Sequence, residues 1–396
     1  MLSPVFAFLI VTGGTDTADF EVRGVGGIRE TADLQSVAAD GTITLAGGKS
    51  VPGGDWYSAR RAGIARPPWP REPHAELGNA DQIVGTVASA DGDAVRLRVL
   101  FPDSPAQVLR IPLSALKAVW FTYRRDAHDP EWLTAERKRD VIQSRNGDLA
   151  LGALVGMDGA AKILRYQADG KDLQLDLSKV AAIGFNTDLA RVRRPKGPYY
   201  RLTLANGTRL SATGVAFDGA SWSAQSLFKE VIKIPADQVV AVDVEQGKAV
   251  WLSELKPSKY QYHPFDAEDH SWAADRCVSG QAMRLKTVAG ESTFDRGVGL
   301  HAGSTLTYAL GGKFRRWEAL AGLDARSGVR GDAILVVRTD GKERELPAAG
   351  RLTAAGGALA IELDVTGVKE LTIDVRRGNG GGVQDHVNLA EARLVP

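Results

Sequence analysis

The residues best suited to chemistry lie in the last third of the chain, where an aromatic side chain stands among polar ones. An exposed aromatic ring stacks on the C–H face of a sugar, and planar polar groups hydrogen-bond sugar hydroxyls in pairs. This chemistry selects six candidates for ligand binding: Trp272, Asp275, His301, Arg326, Asp385 and His386. Trp272 has the best position, because it lies between His270 and Asp275 in a polar, loop-like segment.

The same residue types also have structural explanations. Trp272 is also typical of a rim residue that covers one end of a sandwich. His301 follows a Gly-Val-Gly turn, and a histidine in that position is typically hydrogen-bonded inside its own loop. The sequence leaves both alternatives open.

The elements that must position these residues are β-strands. Gly-rich and Asp-Gly turns, which tolerate positive φ, separate runs of alternating or continuous apolar residues. The predicted strands lie at 304–310, 314–320, 333–338, 359–365 and 370–375. The pattern predicts an all-β sandwich of about 130 residues.

The order of short motifs in this region resembles a known family, the NPCBM modules. The matching pieces are Trp251–Pro257, Asp275–Gly280, Gly297–Ala302, Gly322–Asp324, Asp340–Lys342 and the stretch from Asp385-His386 through Ala392–Leu394. The resemblance covers residues 251–396 and implies a galactose-binding-like jelly roll that binds carbohydrate, of a type often appended to glycoside hydrolases. One departure is Leu389, where the family usually carries tryptophan. If that position is core, leucine fills it with a smaller volume; if it is a sugar platform, the binding assignment loses support.

Many galactose-binding-like domains hold a structural calcium ion, and the resemblance therefore draws attention to oxygen ligands. Asp324, Asp385, Asn388 and Glu391 could each contribute one. Calcium takes six to eight oxygens, so these four residues supply only part of a site. The alternative is that they are polar groups that cap turns.

Ahead of this module the chain repeats itself. Three units open at Asn79, Asn146 and Asn206, and they close with the similar phrases Ile111–Val119, Leu175–Ile183 and Ile234–Val242. The predicted units are 74–125, 140–188 and 198–248, and a degenerate copy occupies 20–65. Short strands without a long helix favour tandem SH3-like or Sm-like β-barrels. Because the asparagines recur in every unit, they indicate turn chemistry rather than catalysis. Repeated β-units before such a module also resemble proteins of planctomycete-like bacteria, which implies architecture only.

Composition and the first residues bear on location and partners. The chain has 396 residues and a formal net charge of +1, from 49 basic and 48 acidic side chains, which gives no reason to expect nucleic acid or an anionic membrane as a partner. The single cysteine, Cys277, excludes an internal disulfide framework. The apolar run Val5–Val11 is too short to span a bilayer, but it is typical of a signal peptide over residues 1–18, although a basic n-region is missing. We therefore expect export to the periplasm, the cell envelope or the extracellular space. The alternative is that these first residues form a first strand or that the start site is wrongly chosen.

The sequence carries no catalytic signature. It contains no Gly-x-Ser-x-Gly elbow, no His-Glu-x-x-His motif and no phosphate-binding loop between a strand and a helix. The interpretation is an exported, non-catalytic protein whose C-terminal module binds a glycan or glycoprotein, while the β-repeats act as a spacer or bind proteins. The alternatives are a scaffold of the cell envelope without sugar binding and an undetected glycoside hydrolase. Structural calcium is the only cofactor considered.

Overall fold

The computed structural model describes residues 19–124, 129–191, 195–264, 271–379 and 384–396, and these residues form almost entirely β-structure. The only α-helix among them is α1, Glu131–Thr134. Short 3-10 helices lie at Val25–Gly27, Ala46–Gly48, Leu113–Ala115, Leu177–Lys179, Thr187–Leu189, Ala236–Gln238, Leu252–Glu254 and Pro347–Gly350. The all-β class is therefore confirmed. None of the described helices is long and apolar enough to span a membrane.

Twenty-two strands precede the C-terminal module, and the four units predicted from the sequence contain six, six, five and five of them. The first unit contains β1 Phe20–Gly24, β2 Arg29–Ala32, β3 Leu34–Val37, β4 Ile43–Leu45, β5 Ser50–Val51 and β6 Trp56–Arg61. The second contains β7 His74–Leu77, β8 Gln82–Val84, β9 Thr86–Ala90, β10 Ala94–Val99, β11 Gln107–Pro112 and β12 Leu116–Trp120. The third contains β13 Asp140–Ser144, β14 Leu149–Asp158, β15 Ile163–Ala168, β16 Lys171–Asp176 and β17 Val180–Gly184. The fourth contains β18 Tyr199–Leu204, β19 Arg209–Phe217, β20 Ser221–Ser226, β21 Val231–Pro235 and β22 Val239–Glu245.

The third and fourth units have the same strand order. In the fourth unit β18 pairs with both β19 and β22, and β20 and β21 follow outward; in the third unit β13 takes the place of β18. A Gly in the left-handed region, Gly147 or Gly207, turns the first strand into the second, and Ala80 adopts the same φ in the second unit. The predicted unit boundaries and the assignment to SH3-like or Sm-like barrels stay predictions.

The last strands of the units pair with each other across unit boundaries. Strand β6 of the first unit pairs with β22 of the fourth, with Ala59 opposite Val242. Strand β12 of the second unit pairs with β17 of the third, with Val119 opposite Ile183. One apolar core runs through all four units. The last strands thus join the first unit to the fourth and the second to the third, and β8 of the second unit also pairs with β19 of the fourth.

The C-terminal module is a sandwich of two antiparallel sheets. Its strands are β23 Val250–Trp251, β24 Lys259–Tyr262, β25 Ala273–Ala274, β26 Met283–Thr287, β27 Gly290–Phe294, β28 Gly297–His301, β29 Ser304–Ala309, β30 Arg316–Leu323, β31 Asp332–Thr339, β32 Lys342–Arg344, β33 Arg351–Thr353, β34 Leu359–Asp364, β35 Glu370–Arg377 and β36 His386–Val395. One sheet has the order β25-β28-β36-β30-β34, with β23 beside β36, and the other has β24-β29-β35-β31-β32, with β33 beside β31. Strands β26 and β27 form a separate hairpin. Apolar side chains of both sheets form a second core that contains Trp317 and Leu389, both fully buried. The predicted sandwich is confirmed, and Leu389 is a core residue.

Buried charges connect the module to the repeats. The guanidinium of Arg66, which precedes the second unit, lies 2.7 Å from Asp243 of β22 and 2.7 Å from Glu391 of β36. Nearby, the Tyr57 hydroxyl donates to Glu318 over 2.7 Å. A second group centres on Asp295 of the module, whose carboxylate lies 2.8 Å from Arg209 of the fourth unit. The module is therefore attached to the repeats through ion pairs that are largely removed from solvent.

Candidate functional site

Three ring side chains meet at one end of the sandwich, and we call Tyr262, His301 and His386 the loop-end cluster. Strand β24 ends at Tyr262, β28 ends at His301, and β36 begins at His386. Antiparallel pairing of β28 with β36 places His301 opposite His386, with ring centroids 5.6 Å apart. The Tyr262 ring meets His301 edge-on at 6.2 Å. The strand ends thus bring together aromatic and imidazole groups from both sheets.

Hydrogen bonds fix the orientation of His301. Its Nδ1 atom lies 3.1 Å from the Ala302 carbonyl oxygen and 3.4 Å from the Tyr262 hydroxyl. Because a carbonyl oxygen can only accept, Nδ1 carries the proton in this arrangement. His301 is 6% exposed, so a ligand could reach only one edge of its ring.

Trp272 lies beside the strand that carries His301. It directly precedes β25, which pairs with β28 at Gly299 and Val298. The ring is half-buried and packs partly against the core of the module. One part of the ring therefore packs on the core and another part is accessible, which is the arrangement that stacking on a sugar requires.

Asp385 supplies an acceptor at the same end. The residue is buried, and its Oδ1 atom accepts from the Asp332 backbone N–H over 2.8 Å. Its Oδ2 atom has no hydrogen-bond partner among the described residues. Burial, together with the negative charge of Asp332, raises the pKa of Asp385 to about 6.

Asp324 and Arg326 form a corner between β30 and β36. Arg326 Nε lies 2.6 Å from Asp324 Oδ1, and Asn388 Nδ2 donates to Asp324 Oδ2 over 2.8 Å. The Asp324 backbone N–H donates to the His386 carbonyl over 2.8 Å. Burial alone would raise the pKa of Asp324, but these donors hold it below its usual range. Both carboxylate oxygens are thus occupied by donors.

Two predicted site residues lie away from the loop-end cluster. Asp275 is at the opposite end of β28, where it accepts from the Gly297 backbone N–H over 3.1 Å and from Arg296 over 2.8 Å. Glu391 lies between the module and the repeats, 3.3 Å from Arg60 and 2.7 Å from Arg66. His270 lies outside the described residues.

The four predicted calcium ligands do not meet at one point: Asn388 contacts Asp324, whereas Glu391 lies between the module and the repeats. Asp324 and Glu391 bond to arginines, and among the described residues only the free oxygens of Asp385 and Asn388 remain of the predicted set. The described part of the chain holds no group of three or more His, Cys, Asp or Glu side chains arranged for a metal ion. A calcium ion at Asp385 stays a prediction, and it would need most of its oxygens from elsewhere.

The charged contacts between the module and the repeats had no sequence signal. Arg66 belongs to a Pro-rich segment that looks like an exposed connection, and yet it is 5% exposed and contacts both parts of the protein. Its acidic partners lie more than 170 residues away along the chain. No local pattern reports such a pairing.

Comparison with known proteins identifies the class of the C-terminal module. Residues 248–395 match the family model of the NPCBM/NEW2 domain, which confirms the resemblance found in the sequence. The C-terminal module is an NPCBM/NEW2 domain, and this match supports a carbohydrate-binding module. No curated protein matches the chain.

Several solved structures are similar to parts of the chain. One is CBM51 from Clostridium perfringens GH95 in complex with methyl-galactose, at 22% identity, over 37% of this chain and 99% of that one, with a TM-score of 0.34. Another contains the CBM51-2 and INT domains of Clostridium perfringens ZmpB, at 21% identity, over 46% of this chain and 36% of that one, with a TM-score of 0.33. A third holds the tandem CBM51 modules of Sp3GH98 from Streptococcus pneumoniae, at 13% identity, over 75% and 87% of the two chains, with a TM-score of 0.33.

Proposed function

We propose that the protein is a non-catalytic carbohydrate-binding protein whose C-terminal module holds a glycan at the loop end of the sandwich. One observation carries the proposal: an NPCBM/NEW2 domain has a half-exposed Trp272 beside the loop-end cluster and an unpartnered Asp385 oxygen at the same end. Trp272 would stack on a sugar face, and Asp385 would accept from a hydroxyl. Asp275 and Arg326, which lie in other hydrogen-bonded groups, would take no direct part.

Replacement of Trp272 by alanine is expected to abolish detectable glycan binding. A stacked aromatic contributes about 0.5–1.5 kcal/mol beyond its buried area, which is a large share of the affinity of a weak binder. The measurement is a glycan array with the full chain, followed by titration of the glycan that binds best. The matched control is Phe314→Ala, because Phe314 is also half-buried against the same core but precedes β30 at the opposite end of the sandwich. Silence of the wild-type protein across diverse glycans contradicts the proposal.

A scaffold role without sugar binding is the alternative, and it would use one surface of the third unit. Leu149 and Leu151 alternate along β14 and are 55% and 56% exposed, and Val155 continues the same face at 51%. Contiguous exposed apolar side chains are typical of protein-binding surfaces. If the glycan array is silent, this strip is the surface through which the repeats would bind a protein.

We also infer that the protein acts outside the cytoplasm. The motivation is the apolar run Val5–Val11, which lies outside the described residues, together with the class of the C-terminal module. In that setting the β-repeats would present the module from the cell envelope, since buried ion pairs attach the two parts to each other.

Calcium is expected to raise the melting temperature if Asp385 binds it. An ion that binds only the folded state stabilises that state by mass action. The measurement is thermal unfolding with added calcium and with EDTA, for the wild type and for Asp385→Asn. A melting temperature that neither calcium nor EDTA changes rules out a structural calcium ion.

A further inference from the structure

A cleft lies where the second unit, the fourth unit and the C-terminal module meet, and we call it the junction cleft. It has a volume of about 260 Å³. Its lining includes Trp69, Glu76, Gln82, Arg201, Arg276 and Asp295. Because it is built from both the repeats and the module, it exists only when they are joined, and it is distinct from the loop-end cluster.

Two residues that line this cleft each carry a buried hydrogen-bond acceptor without a partner among the described residues. Glu76 of β7 and Gln82 of β8 are paired residues of neighbouring strands, and they are 6% and 7% exposed. Glu76 Oε1 accepts from Lys117 over 3.1 Å, whereas Glu76 Oε2 and Gln82 Oε1 have no partner among the described residues. Buried acceptors are rarely left unsatisfied, so a group that donates two hydrogen bonds is expected here.

The wall of the cleft supplies an unused cation. The Arg276 guanidinium stacks on the Trp69 ring, 4.2 Å from its centroid, and among the described residues it has no hydrogen-bond acceptor. The neighbouring carboxylates bond to other groups. Asp295 pairs with Arg209 at 2.8 Å and with the Trp69 indole at 2.6 Å, and Asp275 pairs with Arg296 at 2.8 Å.

The ion pairs around the cleft also leave Arg276 as the group that could bind an anion. Four cationic side chains line it, and three of them form ion pairs: Lys117 with Glu76 at 3.1 Å, Arg201 with Asp81 at 3.1 Å, and Arg296 with Glu245 at 2.5 Å. Asp129, whose charge interacts with Arg276, forms its own salt bridge with Arg124 at 2.6 Å. Arg276 is therefore the lining cation without an ion pair among the described residues, and its charge is available to an anionic ligand.

We propose that the junction cleft binds one acidic monosaccharide unit. Its carboxylate pairs with Arg276, and two neighbouring hydroxyls donate to Glu76 Oε2 and Gln82 Oε1. The volume lies just below the usual range of roughly 300–1,000 Å³ for small-molecule sites, which suits a single ring rather than an oligosaccharide. A free amino acid fits less well. Its ammonium group would lie at the two acceptors next to the Lys117 ammonium, which already neutralises Glu76, so the two positive charges would repel each other.

Titration of the full chain with D-glucuronate, with the heat of binding measured by calorimetry, tests this proposal. We expect saturable binding that Arg276→Gln weakens roughly 10- to 100-fold, the range for loss of a charged hydrogen bond. Arg330→Gln is the matched control, since Arg330 is exposed in the same module and makes no hydrogen bond or salt bridge within the described ranges. Binding to Arg330→Gln should equal that of the wild type.

Two further variants separate this site from the loop-end cluster. Gln82→Leu, which removes one acceptor at similar volume, should also weaken glucuronate binding, whereas Trp272→Ala should leave it unchanged. If Trp272→Ala abolishes glucuronate binding and Arg276→Gln does not, the sugar binds at the loop end and the cleft proposal is overturned. It is also overturned if glucuronate shows no saturable binding to a folded wild-type chain, or if neutral galactose or glycine binds the cleft more tightly. Circular dichroism of each variant confirms that it is folded.

Discussion

Replacement of Arg66 by methionine should lower the free energy of unfolding by about 3–5 kcal/mol. Arg66 is 5% exposed and lies 2.7 Å from both Asp243 and Glu391, which are themselves largely buried. Burial alone would raise the pKa of Glu391, but Arg60, Arg66 and Arg393 outweigh it and hold that pKa below its usual range. Without Arg66, two carboxylates would remain buried with too little positive charge, and removal of one partner of a buried ion pair costs about this much.

The control for this prediction is an exposed ion pair between the repeats and the module. Arg29 of the first unit pairs with Glu362 of the module, and their side chains are 50% and 44% exposed. Because exposed pairs contribute about 0–1 kcal/mol, Arg29→Met should have little effect. Urea unfolding followed by tryptophan fluorescence measures both variants. Equal losses for the two would show that the buried charges do not stabilise the contact.

Replacement of Asp385 by asparagine should stabilise the protein near neutral pH by on the order of 2–3 kcal/mol. Burial and the charge of Asp332 raise the pKa of Asp385 to about 6, whereas an unfolded aspartate titrates near ~3.9. The folded state therefore binds this proton more tightly than the unfolded state. The resulting stability is complete below about pH 4 and is lost as the pH rises through about 6. Asparagine keeps an acceptor for the Asp332 N–H and removes the buried charge.

The measurement is the free energy of unfolding between pH 4.5 and 7.5. The wild type should lose stability as the pH rises through 6, relative to Asp385→Asn. Asp364→Asn is the control: Asp364 is exposed, and hydrogen bonds from Thr366 lower its pKa, so this substitution should give no gain. Parallel curves for the wild type and Asp385→Asn would contradict the prediction.

Local sequence signals were sufficient for the all-β class, for many of the turns and for the sandwich. The Asn-Gly pairs at 146 and 206 mark turns because glycine reaches positive φ without a steric penalty, and Gly147 and Gly207 do so. Alternating apolar residues in β29 and β31 face a single core, as their period of two requires. The pairing of the first unit with the fourth could not be predicted, because edge strands of similar composition compete for the same partner.

The candidate site was predictable only in part. His301 and His386 belong to motifs of one family, and strand pairing brings them together. Asp275 and Glu391 also lie in motifs of that family, but Asp275 pairs with Arg296 of the module and Glu391 with Arg66 of the repeats. Ion pairs between distant segments leave no periodic pattern in the sequence, so residue type alone could not separate these acids from Asp385.

The pairing of β6 with β22 has a consequence for biosynthesis. Strand β6 ends at Arg61 and its partner begins at Val239, so 177 residues must be made between them. At translation rates of about 5–20 residues per second, that takes roughly 10 to 40 s. During this interval the nascent first unit presents an open strand edge, which other chains on the same messenger could join. A chain shortened between the third and fourth units would keep that edge open permanently.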